Sequence, residues 1–208
     1  MSVLVPVTYL TTSDDSAMSR ITDLEIVRFG GVDSLVGITR FDGRLQSWDI
    51  GGPVLTGGAH LQLEGGDVAG GAGAIVTLDT ATGPVVLIGG GAEGAFQQVA
   101  LTGGQWQVTG TLPILAGFRP DVVMDQGDAQ IVYGGLAGDT GIAAWRFNAD
   151  GGFATVLPVT HTAGPVVAMT QAAGFVYTVD ATNTLAGWQV DATGGLSQIA
   201  ALTPATGL

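Results

Sequence analysis

The chain has 208 residues, of which 35 are glycine and none is cysteine or lysine, and it carries a formal charge of −12. That length suits one domain with a sizeable core, and 46% hydrophobic residues exclude a disordered chain. Eighteen acidic residues against six arginines make a surface that repels phosphate, which sets nucleic acids and anionic membranes aside, and the lack of cysteine removes disulfide and thiol chemistry.

In chain order, Ser2 to Leu10 (SVLVPVTYL) has the pattern of a closing strand, comparable with Thr155 to His161, and is predicted as the outer strand (2–10) that ties a blade shut. The same N-terminus lacks a basic segment followed by a long apolar one, and no apolar run reaches the length of a membrane span, so neither a secretory signal nor a transmembrane helix is expected. Leu24-Glu25-Ile26-Val27 opens the first unit as its inner strand. Asp42-Gly43 marks a hairpin turn, because glycine accepts positive φ. The glycine-dense stretch 51–73 predicts a long loop, or a mobile final strand around His60-Leu61-Gln62-Leu63. The second unit opens at Ala74-Ile75-Val76-Thr77-Leu78, the third near Asp121-Val122-Val123-Met124 and the fourth at Pro165-Val166-Val167-Ala168-Met169. The four units cover approximately 21–63, 74–112, 121–160 and 165–202.

These units are copies of one pattern. Apolar runs begin at Leu35, Val85, Ile131 and Phe175, with starts 50, 46 and 44 residues apart. Thirteen or fourteen residues later the chain reaches Trp48, Gln98, Trp145 and Trp188, followed by a Gly-Gly pair and a last strand. Runs of this length bounded by Gly, Asp, Asn and Thr are strands, and no glycine-free stretch has helical spacing. A period of about 40–50 residues with four short strands each is the mark of propeller blades. The expected fold is therefore all-β: a β-propeller of four-stranded blades, four in this chain, as a small ring or as part of a larger or oligomeric one. The recurring Trp48, Trp145 and Trp188 are assigned to packing between blades, since a repeated position serves the repeat.

The units resemble those of the YVTN or lactonase-type β-propeller family. Phe175-Val176-Tyr177, Leu185-Ala186-Gly187-Trp188-Gln189-Val190-Asp191 and Thr193-Gly194-Gly195-Leu196 carry the resemblance best, and Ile131-Val132-Tyr133 with Trp145-Arg146-Phe147-Asn148 comes next. The unit from about Ile75 to Leu112 departs most, with Gln98 in place of the aromatic. Being a match of repeats, the resemblance implies a fold and not an activity. The acidic, cysteine-free composition is also similar to that of bacterial type I-secreted, RTX-associated proteins, although their glycine-aspartate calcium repeats are missing. It implies an extracellular or cell-surface location, with a cytoplasmic or virion protein as the alternative.

Chemistry is sparse. Aspartates 79, 125, 128, 139, 150, 180 and 191 fall in turns, where a carboxylate ordinarily serves the local backbone. Asp125 with Asp128, or Asn148 with Asp150, would each offer two oxygens to calcium, short of the six a site needs, so no cofactor or metal is assigned and calcium is the one ion the turns suit. His60 and His161 read as solvent-facing strand residues, and Gly89 to Gly94 mimics a phosphate loop without a following helix. A hydrolase would need charged groups converging on the channel from the inner strands. Glu25, Arg28 and Asp125 are the candidates, with Asp23 and Arg119 just before two of those strands. The sequence thus favours a non-catalytic scaffold, adhesion or interaction module with protein partners or self-association, over a lactonase-like hydrolase with a channel site.

Overall fold

Adjacent apolar runs joined by short glycine turns pair with one another first, because closing a short loop costs the least entropy. The structure, a computed structural model, follows that rule throughout. It describes residues 21–39, 44–51, 56–63, 73–89, 95–113, 117–136 and 138–203. The first sheet holds β1 (Ile21–Phe29), β2 (Val32–Thr39), β3 (Arg44–Asp49) and β4 (Thr56–Gln62). The second holds β5 (Ala74–Leu78), β6 (Val85–Gly89), β7 (Ala95–Thr102) and β8 (Gln105–Pro113). In the third are β9 (Phe118–Asp125), β10 (Ala129–Leu136), β11 (Gly141–Asn148) and β12 (Phe153–His161), and in the fourth β13 (Val166–Ala172), β14 (Phe175–Asp180), β15 (Leu185–Val190) and β16 (Leu196–Leu202). All four are antiparallel meanders arranged as the blades of a β-propeller, and no helix occurs among the described residues.

The first strands of neighbouring blades, β1 with β5, β5 with β9 and β9 with β13, pack side by side as the inner wall. Three hydrophobic clusters fill the spaces between consecutive blades. Val27, Val36, Ile38 and Leu45 meet Ile75, Val86, Val99 and Trp106. Val76, Leu78 and Leu87 meet Phe118, Val132 and Trp145, and Ile131, Tyr133 and Ile142 meet Val176, Ala186 and Trp188. No such cluster among the described residues joins the fourth blade to the first.

Side-chain hydrogen bonds to the neighbour's backbone stitch every one of these interfaces. The Trp106 indole donates to Ala59 O at 3.2 Å, the Gln98 amide to Gly151 O at 2.7 Å, and the Tyr133 hydroxyl to Gly194 O at 2.7 Å. Gly151 and Gly194 present those carbonyls from tight turns at φ of 81° and 92°, conformations that glycine adopts without strain.

Of the two expectations for the glycine-rich segment around His60, a long loop or a final strand, the structure has the strand, β4, paired with β3 from Arg44↔Gln62 to Asp49↔Thr56 with a bulge between Gln46 and Trp48. Glycine is needed there, because a Cβ on Gly58 would lie 2.8 Å from Ser47 Oγ and 3.2 Å from Ser47 O. The tryptophan register does not extend to Gln98. Trp145 and Trp188 pair with Val132 and Val176 and point to the preceding blade, whereas Gln98 pairs with Leu87 and points to the following one. Its neighbour Val99 occupies the tryptophan's place, since a shift of one residue along a strand reverses the face. Trp106 fills the resulting gap from the outer strand, edge-on to Phe29 with ring centroids 5.3 Å apart. The expected strand 2–10 and the Asp42-Gly43 turn lie outside the described residues.

Candidate functional site

Alternation along the inner strands turns their side chains by turns to the two neighbouring blades, so the groups nearest the axis sit at the inner rim of the interfaces. There all four blades contribute to the lining of an open cavity of about 520 Å³ that includes Glu25, Thr77, Asp79, Asp121, Asp125 and Gln171. A second hollow of about 340 Å³ continues it along the same strands, lined by Asp23, Arg119, Asp121 and Met169 among others. Asp121 and Met169 border both, so the two form one polar channel.

Most of the charge in this channel holds the blades together. Asp23 accepts the amide of Leu24 through Oδ1 and, through Oδ2, that of Ile75 at 2.9 Å, tying the first blade to the second. Arg119 donates to Asp121 at 3.1 and 3.4 Å and to Val167 O at 2.9 Å, tying the third to the fourth. The Gln130 side chain exchanges two hydrogen bonds with the backbone of Asp79 and closes the second against the third. Burial pushes the Asp121 carboxyl above the ordinary carboxylate range, with Arg119 pulling against it.

Of the candidates read from the sequence, Glu25 and Asp125 do line one cavity. Asp125 already accepts Gly127 N at 2.7 Å within its own turn. Glu25 has no hydrogen-bond or ion-pair partner among the described residues, and its carboxyl is pushed up by burial first and by Asp23 second. Arg28 is placed elsewhere. Three residues beyond Glu25 it falls on the opposite face of β1, where it donates to Gly31 O and faces Asp33 at 3.5 Å, exposed to solvent. A role at the channel mouth therefore does not hold for it.

The turn aspartates serve the backbone. Asp180 Oδ1 accepts from Thr182 and Thr184, Asp191 Oδ1 from Thr193 and Gly195, and Asp150 Oδ1 from Gly152. Hydrogen bonds from Thr182 and Thr193 lead in holding the Asp180 and Asp191 carboxyls below their usual range. Asp128 pairs with Arg146 at 3.1 Å. No group of three or more His, Cys, Asp or Glu side chains suited to a metal occurs among the described residues. His60 and His161 are exposed and border neither channel cavity. Sequence reading missed Asp121, Gln130 and Tyr133: Gln130 and Tyr133 act through neighbours 51 and 61 residues away in the chain, and Asp121 through Arg119, which itself reaches Val167 of the next blade.

No family model and no curated protein sequence matches the chain. Solved structures do. A protein from Bacteroides fragilis, provisionally named a 6-phosphogluconolactonase, superposes with a TM-score of 0.64 at 14% identity. The match covers 86% of this chain and 56% of that one, so the chain spans little more than half of its length. A Lactobacillus plantarum protein matches with a TM-score of 0.54 at 18% identity, over 88% of this chain and 71% of its own. One from Desulfotomaculum acetoxidans, of unknown function, matches at 0.55 and 10% over 90% and 71%. The likeness is one of fold. It places the chain among β-propellers and carries no activity across at such identities.

Proposed function

We propose that the chain is a non-catalytic propeller module that works by binding other macromolecules, in a secreted or surface-exposed bacterial assembly. The observation that carries this reading is the use made of the channel's charges. Asp23, Arg119, Asp121 and Asp125 all bond to the fold's own backbone or to one another. Catalysis needs groups poised toward a substrate instead. The acidic, cysteine-free composition supports the location.

A lactonase-like hydrolase is the second reading, favoured by one specific feature. Glu25 and Asp125 share the 520 Å³ cavity, and a carboxyl raised toward neutrality is what a general acid requires. Against it, a channel lined by Asp23, Glu25, Asp79, Asp121 and Asp125 with Arg119 as counter-charge repels phosphorylated substrates. Hydrolysis of gluconolactone by the wild-type chain and by a Glu25→Gln/Asp125→Asn variant separates the two. The scaffold reading expects rates equal to buffer for both proteins. A saturable wild-type rate lost in the variant would establish the hydrolase.

A further inference from the structure

Asp180 is the one charged side chain that is buried among the described residues, at 4% exposure, and no arginine pairs with it there. Alternation along β14 puts it on the face of Val176 and Thr178, which is turned to the third blade. A carboxylate taken out of water needs partners. Its Oδ1 accepts the amides of Thr182 and Thr184 at 2.9 Å and the Thr182 hydroxyl at 2.6 Å. Led by that hydroxyl, these bonds hold the group ionised.

Beside Asp180, at the seam between the third and fourth blades, lies a hollow of about 170 Å³, several times the space that one water needs. It shares no lining residue with the channel. Thr162 and Ala163, in the link from β12 to β13, form one side of it, and Thr178, Asp180, Thr184 and Trp188 of the fourth blade border the other.

The protons in this hollow do not all find acceptors. The Trp188 indole donates to Thr178 Oγ1 at 2.9 Å, and an indole N–H only donates. The Thr178 hydroxyl therefore keeps its own proton to give, and it has no acceptor among the described residues although the side chain is only 2% exposed. Thr184 offers the opposite. Thr182 gives its proton to Asp180, which only accepts, so in the 3.0 Å contact between the two threonine hydroxyls Thr184 is the donor, and its oxygen is left with lone pairs to accept. Gln198, exposed on β16, adds an amide with both kinds of group, while Ala186, Ala201 and the Trp188 ring supply apolar wall.

We infer that this hollow binds the hydroxyl edge of a neutral sugar. A hydroxyl accepts from Thr178 and donates to Thr184 in the same pose, and the C–H bonds beside it pack against the alanines. A bare cation leaves the Thr178 proton unmet, and an anion is repelled by Asp180. The site lies outside the channel and gives the molecule a ligand that the scaffold reading does not name.

The test is a saturation-transfer NMR titration of the 208-residue chain with D-glucose, D-galactose and D-mannose, which differ in the orientation of their hydroxyls, and with the matching uronates, which add a carboxylate to the same rings. At least one hexose is expected to saturate the protein, and its uronate to bind about tenfold more weakly or worse. Ala201→Leu fills the hollow from an exposed position and should abolish the hexose signal with an unchanged circular dichroism spectrum. Thr178→Val removes the unmet donor and should weaken binding about tenfold, the loss expected for one hydrogen bond. Absence of saturable hexose binding overturns the proposal and means that the hollow holds water only. Binding that survives Ala201→Leu, or a uronate that binds as well as its hexose, overturns it too. The gluconolactone assay reports on the channel alone: hydrolysis there removes the scaffold reading and leaves the sugar site, whereas failure to bind a hexose removes the sugar site and leaves that reading.

Discussion

Glu25 is the residue at which the account is most exposed to test. Its carboxyl is raised above the ordinary value of 4.5 by burial and by Asp23, so folding disfavours the ionised form. For an acid raised in the folded state the penalty is full at neutral pH and disappears as pH falls below that ordinary value. Glu25→Gln should therefore stabilise the protein at pH 7 by up to about 1 kcal/mol, reduced by solvent screening at a half-exposed site, and the gain should vanish near pH 4 in thermal melts. Asp191 has the opposite sign. Its hydrogen bond from Thr193 leads in lowering the carboxyl, so it contributes stability above its ordinary value and loses it as pH falls through the lowered one. Asp191→Ala is expected to lower the melting temperature at pH 7, with the deficit shrinking in acid. Tyr133→Phe removes the donor to Gly194 O and should cost about 1–2 kcal/mol in urea titrations, because the site is fully buried.

At the scale of the element, the turns and the registers decide what the sequence could reveal. Strand runs and their four-fold recurrence were legible because short continuous apolar runs bounded by glycine and polar turn residues have one common outcome, and the propeller follows from them. Trp145 and Trp188 were legible as interface residues for the same reason. Gln98 was misread since spacing along the chain cannot resolve a one-residue change of face, and at β4 loop and strand stayed open alternatives because glycine's need for close approach to Ser47 looks, in sequence, like flexibility. At the channel, Glu25 and Asp125 were legible as polar residues of inner strands. Arg28 was not, and the bonds of Arg119 to Val167 and of Gln130 to Asp79 are contacts between blades that no local pattern encodes. Gly194 tests the element-scale account. It sits at φ 92°, and a Cβ there would collide with Ile131 and lie 2.9 Å from Leu157 Cδ1. Gly194→Ala should then destabilise by about 2–4 kcal/mol, read as a shift in the denaturant midpoint, from left-handed backbone strain plus overpacking.

For the whole molecule, order comes from stacking. A single four-stranded sheet has two faces to cover, and the second and third blades have both covered while the first and fourth each have one covered by the clusters described. Side-chain stitches at each interface add direction to this packing and fix which face meets which. Amide hydrogen exchange resolved by strand tests that claim most directly. Strand β10, buried at every position between two neighbours, should exchange slowest, and the fourth-blade strands β15 and β16 should exchange faster than β10 and β11, by more in Ile199→Asp than in the wild type. Equal protection across all four blades, unaffected by that substitution, would mean that each sheet is stable by itself and would contradict the account.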